Sequence, residues 1–439
     1  MIAADRRRIL VFASLAAFSV AFWTWRLAPV VPTSSDAFEY ISLAENLRTR
    51  GSFVLGDPPV PTAYREPGYP AFLAVVFMFT GGVSLAGLII AQWALIVMLM
   101  IVFWRLLSRV LPDDRRWADW LPLVPGLSPI FSQYAGLFLS ELLQATLIMM
   151  ALLLTVRALE RTDARRVTVA GTMWAALAMT RLTWALLPVV LFAWFGRKHG
   201  RGFAMLAIIP VVAVGLWTVR NAFSTGIATP SGRSGHIMYV RAVKSSFSAA
   251  VRASYWRATF FGAAIEKRRD PAFDYNVADG LRAYETGEIA YRAAGLSEGR
   301  IDGLMRRAAI EIALRHPFRY FADGIPEIWK MFTPMAFSGP TTFTFLASAG
   351  SLKAWPHLAV LAALRLWTMV LIMLSVWGAS IAAKSGWSGG VMAVSASYFL
   401  AVHFFFETVP RLAIPIHPFI LLFACLACYD AYRRLYARR

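Results

Sequence analysis

Read for chemistry, this sequence offers carboxylates and guanidiniums rather than nucleophiles. The stretch TSSDAFEYISLAENL, residues 33–47, puts Asp36, Glu39 and Tyr40 within about one helical turn. Asp36, Tyr40, Ala44 and Leu47 keep a three-to-four residue rhythm, so Asp36 and Tyr40 share a helical face. A carboxylate beside a bilayer and shielded from water is costly unless it is paired or used, which makes Asp36 a candidate base. It serves equally well as a cap, since Ser34, Ser35 and Asp36 all suit the start of a helix beginning at Ala37. Glu39 and Glu45 read as solvated or interfacial charges.

The next candidate is YREPGYP, residues 64–70, where Arg65 stands beside Glu66 and two prolines flank Gly68 and Tyr69. Proline and glycine fix a turn here, and a guanidinium at headgroup depth suits a phosphate through its forked donors. Ordinary snorkelling to lipid headgroups accounts for the same arginine. Glu141 in FLSELLQATL, Arg181 in ALAMTRLTW, Arg220 in LWTVRNAFSTG and Arg411 in VPRLAIPIHPF each fall near the end of an apolar run. One such charge is an anchor; several on one side of a membrane are what an anionic lipid headgroup would need. His403 and Glu407 are four apart and could face together, but two ligands without a third make a weak metal site. His236, His316 and His417 read as structural. The sequence has no G-x-S-x-G, no phosphate-binding loop of the Walker type and no H-E-x-x-H.

The elements that must position these residues are set by composition. Of 439 residues 58% are hydrophobic and 16% charged, against about a quarter charged in a soluble domain. Apolar runs of spanning length recur, and spans are expected at about 9–29, 83–104, 120–137, 141–156, 167–181, 183–196, 203–219, 357–383, 387–406 and 412–430. The net charge of +19 comes from basic residues clustered between those runs, which is a topology signal rather than a nucleic-acid one. Arg6 to Arg8, Arg105, Arg109, Arg115 and Arg116, Arg157, Arg161, Arg165 and Arg166, Arg197, Lys198 and Arg201, Lys384, and Arg433, Arg434, Arg438 and Arg439 all sort to one side. The positive-inside rule makes that side, with both termini, cytoplasmic. The first run follows a basic head and lacks a small-residue cleavage site before Trp23 and Trp25, so it reads as a retained helix.

Three regions follow. Residues 1–219 form an N-terminal membrane module with an external loop at 30–82, whose apolar tail reads as a helix along the outer surface. Residues 220–356 form a long external segment with a helical pattern at 301–315 (Ile301, Leu304, Met305, Ala308, Ile312) and HPFRYF as its stop. The stretch 325–348, with Trp329, Phe332 and Pro334, reads as an extra re-entrant or surface helix. Residues 357–439 are C-terminal spans. Cys425 and Cys428 lie in an apolar run and read as packing residues.

In this order the residues resemble the GT-C superfamily of polyprenyl-phosphate-sugar glycosyltransferases, near the lipid A aminoarabinose transferases and protein O-mannosyltransferases. The resemblance rests on DAFEYISLAENL and GSF, REPGYPAFLAV, LSELL, GTMWAALAMTRLTW, WTVRNAFSTG, AAIEIALRHPFRYF and PRLAIPIHPF, and runs nearly end to end. It implies an all-α polytopic membrane fold of ten or more spans. It further implies a bacterial inner-membrane enzyme with a periplasmic active site, a polyprenyl-phosphate sugar as donor, a glycan, lipid or protein acceptor, and no cofactor. Asp36 takes the place of the catalytic base and Arg65 that of the donor-phosphate ligand. Glu141 stands at the start of the fourth span as a second catalytic acid group, and Arg181 ends the fifth as a second phosphate ligand, with Arg220 and Arg411 behind them. Glu39, Tyr40, Glu66 and Tyr69 are the accompanying substrate contacts. Ala37 stands where many relatives have a second acidic residue, and Arg65-Glu66-Pro67 where some read Glu-Lys-Pro. Two rival readings remain: a ligase or polymerase of O-antigen type, relying on arginines and a histidine such as His316, and a transporter without chemistry. The transporter predicts charges at mid-membrane and broken helices in paired positions, which the sequence does not display.

Overall fold

The computed structural model describes residues 2–27, 35–111, 120–196, 200–332 and 355–436. Arg115, Arg116, Arg197, Lys198, Arg438, Arg439 and the stretch 333–348 with Pro334 lie outside the described residues. The chain is almost wholly helical. Helix α1 (Ile2–Leu27) and α2 (Ser35–Arg50) precede a small antiparallel hairpin, β1 (Val54–Leu55) with β2 (Val60–Pro61). Next come α3 (Gly68–Thr80), α4 (Leu85–Val110), α5 (Leu123–Leu127), α6 (Pro129–Tyr134), α7 (Glu141–Glu160), α8 (Ala164–Thr180), α9 (Leu187–Phe195) and α10 (Met205–Thr225). A helical segment follows: α11 (Ser234–Val243), α12 (Ala249–Phe261), α13 (Ala263–Arg269), α14 (Tyr275–Ala278), α15 (Leu281–Ala293), α16 (Glu298–Arg315), α17 (Pro317–Ala322) and α18 (Gly324–Phe332). The chain closes with α19 (Trp355–Lys384), α20 (Trp387–Phe405), a 3-10 segment at Pro410–Ile416 and α21 (His417–Tyr436).

Seven stretches among the described residues are long and apolar enough to cross a membrane, in α1, α4, α7, α10, α19, α20 and from Arg411 to Leu435. The chain is therefore a multi-pass membrane protein. Helix α4 has 26 residues and so runs about 39 Å, more than a hydrocarbon core. Its start is fixed by Ser84, whose hydroxyl accepts from the Gly87 amide at 3.1 Å.

Three of the ten expected spans take another form. The run 120–137 is broken into α5 and α6, because Pro122, Pro125 and Pro129 each remove a backbone donor and crowd the preceding turn. The runs 167–181 and 183–196 become α8, of 17 residues, and α9, of nine, both shorter than the roughly 20 residues of a straight crossing. The tail of the first loop is α3, 13 residues long, in keeping with a helix too short to span.

The main core joins the spans through Phe12, Phe103, Phe131, Trp174, Phe399 and Phe419. Apolar neighbours offer no hydrophobic gain inside lipid, so close backbone approach and hydrogen bonds do the joining. A Cβ on Gly378 of α19 would fall 1.7 Å from the Phe423 carbonyl oxygen of α21. Trp174 Nε1 donates to Thr155 Oγ1 at 2.9 Å between α8 and α7. The segment 226–332 has its own small cores, one from Val240, Tyr284, Ile301 and Met305, another from Tyr255, Ala258, Phe273 and Ala278. The helical pattern read at 301–315 lies in α16, which stops at His316 before Pro317 opens α17. Cys425 and Cys428 are free thiols.

Candidate active site

Helix α2 begins at Ser35, so Asp36 lies inside its first turn rather than capping a helix that starts at Ala37. Both its carboxylate oxygens are taken by guanidiniums: Oδ1 by Arg65 and by Arg233 at 3.4 Å, Oδ2 by Arg411. These cations come from three separate parts of the chain, since Arg65 follows the hairpin, Arg233 precedes α11 and Arg411 sits in the 3-10 segment before α21. Burial by itself would push the Asp36 carboxyl up. The guanidiniums of Arg411, Arg65 and Arg233 outweigh it and hold the group well below the usual carboxylate range. A carboxylate so held is permanently charged and a weak base in this arrangement.

Arg65 is fully buried, and its placement follows from the local fold. Its Nε donates to Glu39 Oε2 at 2.5 Å, while its guanidinium lies 4.9 Å from the Tyr40 ring centroid and 5.4 Å from that of Tyr64. Glu39 and Tyr40 are three and four residues beyond Asp36, one turn along the same face, so one helix supplies two counter-ions and an aromatic wall. Glu39, read from sequence as solvated, is thus an ion-pair partner. Tyr40 meets Tyr69 edge to face at 4.9 Å. The turn before α3 can come this close because Gly68 has no side chain: a Cβ there would lie 2.5 Å from Thr180 Oγ1. Glu66 is half-buried and joins none of these ion pairs among the described residues.

Glu141, the first residue of α7, is buried with Oε1 3.5 Å from Arg411 Nε. Its Oε2 and the Tyr69 hydroxyl are buried without a hydrogen-bond partner among the described residues, as is Arg233 Nε. Arg181, at the end of α8, acts electrostatically on Glu141 but makes no ion pair among the described residues. Orphaned polar atoms around a cation cluster mark a place for a polar ligand.

Arg220 is bonded elsewhere. It donates to the carbonyls of Thr62 at 2.7 Å and Phe53 at 3.0 Å, with its guanidinium over the Phe53 and Trp217 rings. It moors the hairpin to α10 and stands outside the Asp36 cluster. His403 and Glu407 do not face each other. The His403 Nδ1 lies 2.9 Å from the Phe399 carbonyl, whereas Glu407 Oε2 lies 3.9 Å from His236 Nε2. No three His, Cys, Asp or Glu side chains are grouped to hold a metal among the described residues.

Sequence reasoning missed Arg233 altogether and read His236 as structural. Their signal was TPSGRSGH, where an arginine and a histidine three apart sit in a glycine- and serine-rich turn opening a helix. Asp302 of α16 fixes that opening, accepting from the Gly235 amide at 2.6 Å and the Ser234 hydroxyl at 3.1 Å.

No protein-family model and no curated protein matches this sequence. Solved structures do match. The oligosaccharyltransferase AglB from Archaeoglobus fulgidus, in complex with an inhibitory peptide and a dolichol-phosphate, aligns with a TM-score of 0.53 at 14% identity, over 99% of this chain and 51% of its own. The oligosaccharyltransferase of the same organism tethered to an acceptor peptide gives 0.49 at 12% identity, over 98% and 50%. ArnT from Cupriavidus metallidurans, bound to undecaprenyl phosphate, gives 0.41 at 14% identity, over 97% and 78%. At such identity the first likeness shows the fold, which is GT-C-like, and this chain spans about half the length of AglB.

Proposed function

We propose that this chain is an inverting glycosyltransferase, moving a sugar from a polyprenyl-phosphate donor to an acceptor hydroxyl at the external face of a bacterial inner membrane. One observation carries the reading: three guanidiniums, those of Arg65, Arg233 and Arg411, converge on one carboxylate beside unfilled polar atoms. A chain of the same fold, AglB, was captured with a dolichol-phosphate, which is a lipid of this class.

The chemistry follows from charge. A donor phosphate entering the cluster competes with Asp36 for Arg65, Arg233 and Arg411, whose forks match phosphate oxygens as well as carboxylate. As the bond from anomeric carbon to phosphate oxygen breaks, the electron pair stays with the phosphate. Cations already fixed around it stabilise that charge without having to reorganise. Asp36 keeps the guanidiniums apart and aimed while the site is empty. Held as an anion by those cations it is a weak base, and the hydroxyl proton is left to another group. Arg181 and Glu141 border the same cavity of charge, one as a further cation and one as a hydrogen-bond acceptor for the sugar. The Tyr69 hydroxyl, buried without a hydrogen-bond partner among the described residues, is available to the same ligand.

The test is transfer from polyprenyl-phosphate sugars by the purified chain, together with binding of sugar-free polyprenyl phosphate. Wild type is expected to transfer. Asp36→Asn is expected to lose about 100-fold or more in turnover while holding polyprenyl phosphate at least as tightly, since it no longer competes for the cations. Arg411→Ala is expected to lose the binding. Transfer by neither protein from any such donor, or full activity in Asp36→Asn, would overturn the reading.

A further inference from the structure

We propose that Glu407, set against His236, is the residue that accepts the proton of the incoming hydroxyl, an assignment that rests on the transferase reading above. Arg233 immediately precedes α11 and His236 lies in its first turn; Arg233 reaches Asp36, and His236 comes within 3.9 Å of Glu407. Glu407 in turn lies four residues before Arg411, the cation on the other oxygen of Asp36. The pair is thus a chain neighbour of two of the three guanidiniums. His236 also lies within electrostatic range of Asp36 and Arg65.

The pair is rigid and reachable. The His236 ring stacks on Tyr284 with centroids 3.8 Å apart, and α11 is held at its opening by Asp302. The loop carrying Glu407 is fixed by its neighbour: Thr408 donates its amide to Glu327 Oε2 at 2.9 Å and its hydroxyl to the Glu327 carbonyl at 2.7 Å. Even so, 14% of the His236 side chain and 13% of the Glu407 side chain remain exposed, enough for a substrate atom to touch them. The Nδ1 of His236 has no partner among the described residues.

Glu407 is also a carboxylate in surplus. Beside it, Lys244 and Lys330 are already matched by Asp279 and Glu327, each lysine 2.9 Å from Asp279 and Lys244 also bonded to Glu327. Burial pushes the Glu407 carboxyl up to about 7; Lys330 and Lys244 pull it down, and Asp279 and Glu327 push it up. His236, the group facing it from α11, is neutral across the same range, because burial and Arg233 lower it to about 3. A base near the operating pH accepts a proton far better than Asp36 among its guanidiniums.

The step balances. The acceptor oxygen forms its bond to the anomeric carbon as the carbon–phosphate oxygen bond breaks. The hydroxyl proton passes to the Glu407 carboxylate, and the released electron pair remains on the polyprenyl phosphate. His236 is a positioning residue, its neutral ring standing beside that carboxylate with Nε2 3.9 Å from Oε2.

The experiment is kcat/KM against pH between 5 and 9 for a polyprenyl-phosphate sugar that wild type turns over, with Glu407→Gln and Glu407→Asp beside it. A base must be unprotonated, so the wild-type value is expected to rise through an inflection near pH 7 and then level off. Asp36 and His236 do not titrate in that window. Glu407→Gln is expected to fall by about 10²–10⁴ and lose the inflection, with polyprenyl phosphate binding within threefold of wild type. Glu407→Asp is expected to restore part of the rate with the inflection moved. An infrared difference titration, wild type minus Glu407→Gln, is expected to show a protonated carboxyl band vanishing near pH 7 whether or not turnover is measured. An unchanged rate or inflection in Glu407→Gln overturns the assignment, as does loss of binding in parallel with rate. A wild type that transfers from no lipid-phosphate donor overturns the reading beneath it.

Discussion

Lys244 and Lys330 are matched by Asp279 and Glu327 in a set of bonds that closes on itself, whereas around Asp36 the guanidiniums of Arg65, Arg233 and Arg411 meet Asp36, Glu39 and Glu141 and leave buried polar atoms unpartnered among the described residues. The first cluster is closed. Tyr255 donates to Glu327 at 2.6 Å, Thr408 donates to it twice more, and every charged side chain in it is buried with its partners supplied from within. The second is open: Arg411 and Arg233 keep 20% of their side chains exposed, Glu141 and Tyr69 hold buried polar atoms with no partner among the described residues, and Arg181 stands by without an ion pair. Both clusters bury charge, yet only the second leaves anything for a ligand to do. A charge network that completes itself fixes structure; one that stops short of completion fixes a place for something else.

That contrast can be broken or sharpened by substitution. The largest effect belongs to the closed cluster. Glu327→Gln leaves two buried lysines short of a counter-ion, and a loss of about 3–5 kcal/mol in stability is expected, read as a fall in thermal melting temperature. A variant that melts like wild type would remove the distinction. Arg220→Gln comes next, at about 2 kcal/mol, because it gives up two charge-assisted bonds to the Phe53 and Thr62 carbonyls. Its affinity for polyprenyl phosphate is expected to stay within threefold of wild type. A selective loss of that affinity would move Arg220 back among the phosphate ligands where the sequence pattern had it. The smallest effect is Arg181→Ala, with an unchanged melt and about tenfold weaker turnover, since its cation makes no side-chain bond among the described residues. A melt that drops instead would make Arg181 part of the scaffold.

The helical, membrane-spanning character of the chain was legible in sequence because it depends on local quantities: the length of apolar runs, and basic residues counted between them. The fate of 120–137 was legible too, in its three prolines, but hydropathy averaged them away. Asp36, Glu39, Tyr40 and Arg65 could be singled out because helical spacing and a proline-rich turn are short-range signals. What these residues do to one another was not. Asp36 reads as a base until Arg411, 375 positions away, is placed on its second oxygen. Glu407 reads as half of a weak pair with His403 by spacing alone. In the folded chain the backbone turns after Phe405, and Glu407 faces His236 instead.

Composition, periodicity and spacing are properties of neighbours along the chain, and they determined the solvent, the elements and the residue types available for chemistry. Electrostatics falls off with distance in space, not with distance in sequence. Only the tertiary structure, by drawing together an arginine after the hairpin, one before α11 and one before α21, decided which carboxylate is locked as an ion and which is left free to take a proton.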